Sequence, residues 1–198
     1  HAKESLVPTH HNHHGGSARQ RPIAPQQAPR PQDGPLFTLK IERLAYGADA
    51  IAHTDEGKTV FVQGGVPGDT VEAALVQDGP SFSKARVTRV LDPSADRVQS
   101  PCPFADVCGG CPWASVSYQA QLAAKRDNVV DALTRIGGWD PGPLSILAAP
   151  TCEGYRNKAQ FPVAKGPRIG FYRPRSHDVI DVDDCLLQGE AAARLRGA

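Results

Sequence analysis

Apolar and polar residues alternate in short runs through the first half of the chain. Phe37-Thr38-Leu39-Lys40-Ile41-Glu42-Arg43-Leu44 is one such run, and Lys58-Thr59-Val60-Phe61-Val62 and Ala85-Arg86-Val87 are two more. Thr70-Val71-Glu72-Ala73-Ala74-Leu75-Val76 adds a fourth. A period of two turns one face to a core and the other to water, so each run predicts a strand. Turn signals separate them: Tyr46-Gly47-Ala48-Asp49, Val66-Pro67-Gly68-Asp69, Asp78-Gly79-Pro80 and Asp92-Pro93-Ser94. About five short strands at this spacing predict a small OB-like β-barrel over residues 37–97.

The period then changes. Leu122, Val129, Val130, Leu133 and Ile136 fall on one face at helical spacing, with Gln121, Lys125, Asp127 and Asp131 free to face water. Ser115 or Ser117 is placed to cap this helix and Gly137-Gly138 to stop it. Its apolar stripe is expected to pack on the core. After a connector rich in Pro and Gly at 139–150, strand patterns return at 155–164, 168–172 and 179–182, with Lys165-Gly166-Pro167 as a hairpin turn. The fold class expected is mainly β with α, an α+β chain: a barrel, a cysteine loop with one helix, and a small antiparallel sheet. The organisation expected is a disordered tail (1–36), the barrel (37–97), a central domain (98–190) and the start of a truncated helix (191–198).

Composition narrows the class. The 198 residues carry 22 Lys+Arg against 21 Asp+Glu, a formal net charge of +1, which argues against a histone-like binder. No apolar stretch approaches the roughly 18–20 residues of a membrane span, and no secretory signal opens the chain. Pro, Gly, His and Gln fill 18 of the first 36 positions, too little apolar surface to offset ordering entropy. His10-His11-Asn12-His13-His14 within that tail reads as an adventitious metal binder. The sequence contains no Met, so both ends read as cut and the chain as a fragment.

Two features carry chemistry. Cys102-Pro103-Phe104-Ala105-Asp106-Val107-Cys108-Gly109-Gly110-Cys111 spaces three thiols as C-x5-C-x2-C. With one more thiol from afar this makes a four-cysteine site, suited to Zn or to an iron–sulfur cluster, and spacing does not choose between them. Five cysteines is an odd number for a disulfide framework. The fourth ligand is Cys152 or Cys185, again undecided by spacing. The second feature is the segment 156–175, which carries Arg156, Lys158, Lys165, Arg168, Arg173 and Arg175 and no acid, interleaved with Tyr155, Phe161, Phe171 and Tyr172 around and within it. Bases for phosphate and rings for stacking suit single-stranded RNA, against the plainer reading of a solvated hairpin with core aromatics. The barrel, with seven bases and nine acids, is less suited to phosphate by charge alone.

The residues also resemble a known family. Tyr46-Gly47 and Phe61-Val62-Gln63-Gly64-Gly65-Val66-Pro67-Gly68-Asp69 look like a TRAM domain, the small barrel attached to many RNA-modifying enzymes. The cysteine array follows, then Gln121-Leu122-Ala123-Ala124-Lys125-Arg126 in the helix and Gly154-Tyr155-Arg156-Asn157-Lys158-Ala159-Gln160-Phe161-Pro162-Val163. Gly170-Phe171-Tyr172-Arg173, Ser176-His177 and Asp184-Cys185 complete an order similar to the N-terminal half of bacterial RNA uracil-C5-methyltransferases of the 23S ribosomal RNA type. The resemblance covers about residues 37–190. It implies a 4Fe-4S cluster on Cys102, Cys108, Cys111 and Cys185, with Cys152 incidental. It implies RNA contacts from Tyr155, Arg156, Lys158, Lys165, Arg168, Tyr172, Arg173 and Arg175, to ribosomal or transfer RNA, in a cytoplasmic monomer.

The family's S-adenosylmethionine domain, its nucleophilic cysteine and its general base lie C-terminal to anything in this sequence. The resemblance therefore implies no catalytic residue here and an inactive fragment. Radical enzymes that use S-adenosylmethionine also pair this barrel with iron and sulfur, but their array is C-x3-C-x2-C, which differs from this one. The alternatives to a methyltransferase portion are a stand-alone RNA-binding module and a Zn-stabilised interaction domain.

Overall fold

In the computed structural model, which describes residues 34–166, 168–182 and 184–189, the first alternating run makes two strands instead of one. β1 (Leu36–Lys40) pairs with β5 (Thr70–Asp78), and β2 (Arg43–Leu44) pairs with β3 (Ala50–His53). With β4 (Thr59–Gln63) and β6 (Phe82–Asp92) the sheet order is β1-β5-β6-β4-β3-β2, antiparallel except for the β4–β6 pair. The two edge strands are thus consecutive in the chain. One bent segment joins both edges, so the sheet curls on itself and its edges are covered. At the bend, Ile41 N donates to Asp69 O at 2.9 Å and Glu42 N to Ile51 O at 2.9 Å, which keeps the backbone paired through the corner.

Leu39, Ile41, Leu44, Val60, Val62 and Val71 fill the inside of the curl, with Ala50, Ala52, Ala73 and Ala85 where the walls come close. Each large aliphatic side chain withdrawn from water contributes about 1.5–3 kcal/mol. β3 is a strand the alternation did not predict. Ala50, Ile51 and Ala52 are buried on consecutive positions, so the run has no polar beat to read. β6 is longer than predicted, eleven residues instead of three, because it serves both β5 and β4.

Ser117 is the helix cap: its Oγ accepts from Ala120 N at 3.2 Å. α1 (Tyr118–Asp131) runs on into a widened turn at Ala132–Ile136 and stops at Gly137, followed by Gly138 at φ +63°. The expected packing of the whole stripe does not occur. Leu122 is buried, but Val129 is 50% exposed and Ile136 77% exposed. Ala120 and Ala124 pack against the barrel core, Val130 and Leu133 further along are only half-buried, and Arg43 of β2 acts on Asp131.

The second sheet is β7 (Val163–Ala164), β8 (Arg168–Tyr172) and β9 (Val179–Asp181), antiparallel with β8 in the centre. The strand predicted over 155–164 shortens to Val163-Ala164. Upstream, the backbone of Arg156 is held by Leu187 and Gly189 (2.9 and 3.0 Å) in an isolated parallel bridge to Gln188, which leaves 157–162 outside the ladder. At Gly170 β8 and β9 approach so closely that a Cβ would lie 1.9 Å from Ile180 O, a position open to glycine alone.

The tail expected over 1–36 lies outside the described residues except for Gly34, Pro35 and Leu36. Of these, Gly34 and Pro35 exchange backbone hydrogen bonds with Leu75 and Leu36 opens β1. The truncated helix at 191–198 also lies outside them. No helix of the described residues is long and apolar enough to cross a membrane.

Candidate metal centre and nucleic-acid interface

Tight turns wind the cysteine loop. Ala105 N donates to Cys102 O at 3.2 Å, Cys108 N to Phe104 O at 2.8 Å and Ala114 N to Cys111 O at 3.1 Å. Gly109 seats the loop on the end of β8: its N–H meets Tyr172 O at 2.9 Å, and a Cβ there would sit 3.0 Å from that oxygen and 3.2 Å from Pro174 N. Cys185 arrives from the other side, four residues beyond β9, its carbonyl taken by Gln188 N at 2.9 Å.

Cys102, Cys108, Cys111 and Cys185 are half-buried, whereas Cys152 is exposed. Burial pushes the Cys108 thiol above its ordinary range. The Gly110 N–H, 3.4 Å from its sulfur, works against this, and nearby Cys102 and Cys185 add to it. Burial also raises Cys111, reinforced by Cys108, Cys185 and Cys102 and opposed by the Arg156 guanidinium. Cys102 and Cys185 thus lie within electrostatic range of Cys108 and Cys111, and Cys152 is not among the groups acting on either of them. The donor set fits a four-thiolate group in identity and in its amide-to-sulfur hydrogen bond. The cage is not closed as the side chains stand: among the described residues, no group of three or more His, Cys, Asp or Glu side chains is set to hold a metal ion.

The basic residues do not share one face. Lys165 lies at the β7–β8 turn and Arg168 beside it, where its Nη1 points to Val179 O at 3.4 Å. Tyr172, Arg173 and Arg175 lie at the opposite end of β8, about 13 Å away for a strand of this length. There Tyr172 packs edge-on against His177 (5.6 Å), and Arg175, at φ +55°, reaches Asp49 of the barrel at 2.9 Å. Tyr155, Arg156 and Lys158 are exposed on the irregular segment before β7, with the Arg156 charge close enough to act on Cys111. Phe161 and Phe171, both half-buried, pack on each other at 5.2 Å.

Two ion pairs escaped the sequence reading, Asp49–Arg175 and Asp69–Arg97. Both acids stand in stretches read as turns, Asp69 also closing the run that resembles a TRAM domain, and their partners are 126 and 28 residues further on, so nothing local joined them.

Residues 32–88 match the family model of the TRAM domain, the stretch that forms most of the curled sheet. The chain is also similar to proteins named as uncharacterized RNA methyltransferases. That of Gloeobacter violaceus is 39% identical over 160 residues, covering 78% of this chain and 35% of the relative. That of Synechocystis is 35% identical, covering 80% and 35%, and that of Streptomyces coelicolor is 34% identical, covering 90% and 42%. The chain therefore spans about a third of the length of the curated relatives it matches. The solved Pyrococcus abyssi tRNA (uracil-54, C5)-methyltransferase, in complex with S-adenosyl-L-homocysteine, shares the fold at a TM-score of 0.54 and 23% identity. The match covers 79% of this chain and 34% of that one. The TRAM match and these relatives support an RNA methyltransferase family.

Proposed function

We propose that this chain is the RNA-recognising, cluster-bearing N-terminal portion of an RNA uracil-C5-methyltransferase dependent on S-adenosylmethionine, acting on 23S ribosomal RNA in the cytoplasm as a monomer. The observation that carries the reading is the thiol neighbourhood in a chain with a TRAM-domain match: Cys102 and Cys185 are close enough to act on the half-buried Cys108 and Cys111, and Cys152 is exposed and acts on neither. In this reading the four thiolates hold a 4Fe-4S cluster, which when bound supplies a covalent tie between the loop at 102–111 and the segment after β9. The domain limits of this reading are a barrel that takes in Gly34 and runs to 97, where the tail had been expected to reach 36, and a cluster-bearing domain to 190.

Tyr155, Arg156, Lys158, Lys165, Arg168, Tyr172, Arg173 and Arg175 are the RNA-contacting residues of this proposal. None of the chain's residues takes a catalytic role. The relatives named as RNA methyltransferases and the tRNA-modifying neighbour support RNA as the partner. The test is a pair of substitutions in protein purified without oxygen. Cys185→Ser is expected to lose the iron and loosen the fold, and Cys152→Ser to keep both. Equal iron in the two variants would overturn the ligand set.

A further inference from the structure

Exposed apolar side chains crowd one stretch of the chain. Of the fourteen large ones that stand in water among the described residues, five fall within 129–147: Val129, Ile136, Trp139, Ile146 and Leu147. Trp139 is 60% exposed and Leu147 93%. Scattered apolar residues are ordinary on a protein surface, whereas a group of this size marks a surface that another body covers.

The stretch is held in place. Just past the widened turn, Trp139 N donates to Leu133 O at 3.0 Å. Ten residues on, Ala149 N donates to the Tyr118 hydroxyl at 2.8 Å, at the start of α1. Segment 139–149 is therefore a strap fastened to the helix at both ends, returning from its end to its beginning. Pro141 and Leu144 are half-buried and the other strap residues are exposed.

Charge and chain length narrow what covers this face. Between 129 and 150 stand one base, Arg135, and two acids, Asp131 and Asp140, and Arg135 is paired with Asp131 at 3.0 Å. Such a surface has no cation to spare for a phosphate backbone or an anionic bilayer. The matched stretch is 35% of the Gloeobacter and Synechocystis relatives, so the larger part of each lies outside it. Position agrees with a cover from the same polypeptide. Gly189 N donates to Arg156 O at 3.0 Å, seven residues past Ala149, so the chain from residue 190 onward starts within about 30 Å of the strap.

We propose that the end of α1 and the strap, through Val129, Ile136, Trp139, Ile146 and Leu147, form the docking surface for the remaining part of a polypeptide of the relatives' length. The inference rests on the reading of this chain as a portion of a longer methyltransferase.

The experiment compares amide hydrogen exchange in the 198-residue chain and in the complete translation product of its gene. The strap belongs to no strand or helix, so in the 198-residue chain it is expected to exchange fast. In the longer product residues 136–149 are expected to slow by about tenfold or more. Leu147→Asp is expected to leave the 198-residue chain unchanged, because the side chain stands in water, and to remove most of the protection in the longer product. The comparison of the two parent proteins decides the matter if that variant fails to fold. Equal rates in the two parents overturn the docking surface, and a longer product that still holds iron and methylates RNA then leaves the proposed function standing. Dimers of the 198-residue chain that Leu147→Asp dissolves would put a second copy on the face. A labelled 12-nucleotide RNA that slows exchange over 136–149 would put RNA there. Either result overturns the proposal. A gene product no longer than 198 residues would overturn both the docking surface and the reading it rests on.

Discussion

Arg97 grips Asp69 with two nitrogens: Nε lies 3.1 Å from each carboxylate oxygen and Nη2 2.6 Å from Oδ2. Asp69 is wholly buried and also accepts from Val66 N (2.8 Å) and Ser94 N (2.9 Å), while Arg97 Nη2 reaches Gly64 O at 2.8 Å. The backbone of Arg97 in turn bridges to Val116, and Ser117 N donates to Asp96 O. One ion pair thus fastens two barrel loops and the helix entrance together.

Asp69→Ala should therefore be far costlier than an ordinary surface change. It leaves a mostly buried guanidinium unpaired and two amides without acceptors, a class of loss worth about 3–5 kcal/mol. The check is urea unfolding followed by tryptophan fluorescence. A loss below about 1 kcal/mol would show that the pair is idle.

Gly170→Ala is expected to separate β8 from β9, because the added methyl would fall 1.9 Å from Ile180 O. Hydrogen exchange should rise at Tyr172 and at Val182, whose N–H meets Ile169 O at 3.4 Å, while β1 and β5 keep their protection. Unchanged exchange at these positions would mean that the two strands do not hold this register.

These two sites mark what was legible in the sequence. Period-two alternation gave most of the barrel, since Val60, Val62 and Val71 point inward between polar neighbours. It failed at Ala50-Ile51-Ala52, where both faces are covered, and at 155–160, where Arg156 makes an isolated bridge to Gln188 and no strand forms. The helix was legible by its cap and stop, yet which residues of its stripe pack depends on the partner surface, which no local pattern encodes. The cysteine spacing was plain, but the pairing of Asp49 with Arg175 depends on contacts between residues far apart in sequence.

Replacing Arg156, Lys158 and Arg173 together with Gln is expected to weaken RNA binding and flatten the salt slope by about 2, from three phosphate contacts on a single strand. Iron content must be matched first, because Arg156 lies among the charges acting on Cys111. Parent-like affinity in a matched triple variant would mean that these side chains are merely solvated.

Residues 1–198 are expected to transfer no methyl group from labelled S-adenosylmethionine to ribosomal RNA. The reaction needs a thiolate beneath the uracil C6 and a base near the C5 proton, and the one cysteine outside the proposed ligand set, Cys152, is exposed with no such partner assigned. Turnover that persists in the purified chain and disappears in Cys152→Ala would contradict this.

The most direct measurement is the metal itself. Protein purified without oxygen is expected to be brown, with a broad visible absorption and about four irons and four sulfides per chain, as a cluster on Cys102, Cys108, Cys111 and Cys185 requires. A colourless preparation holding one zinc per chain would contradict the account.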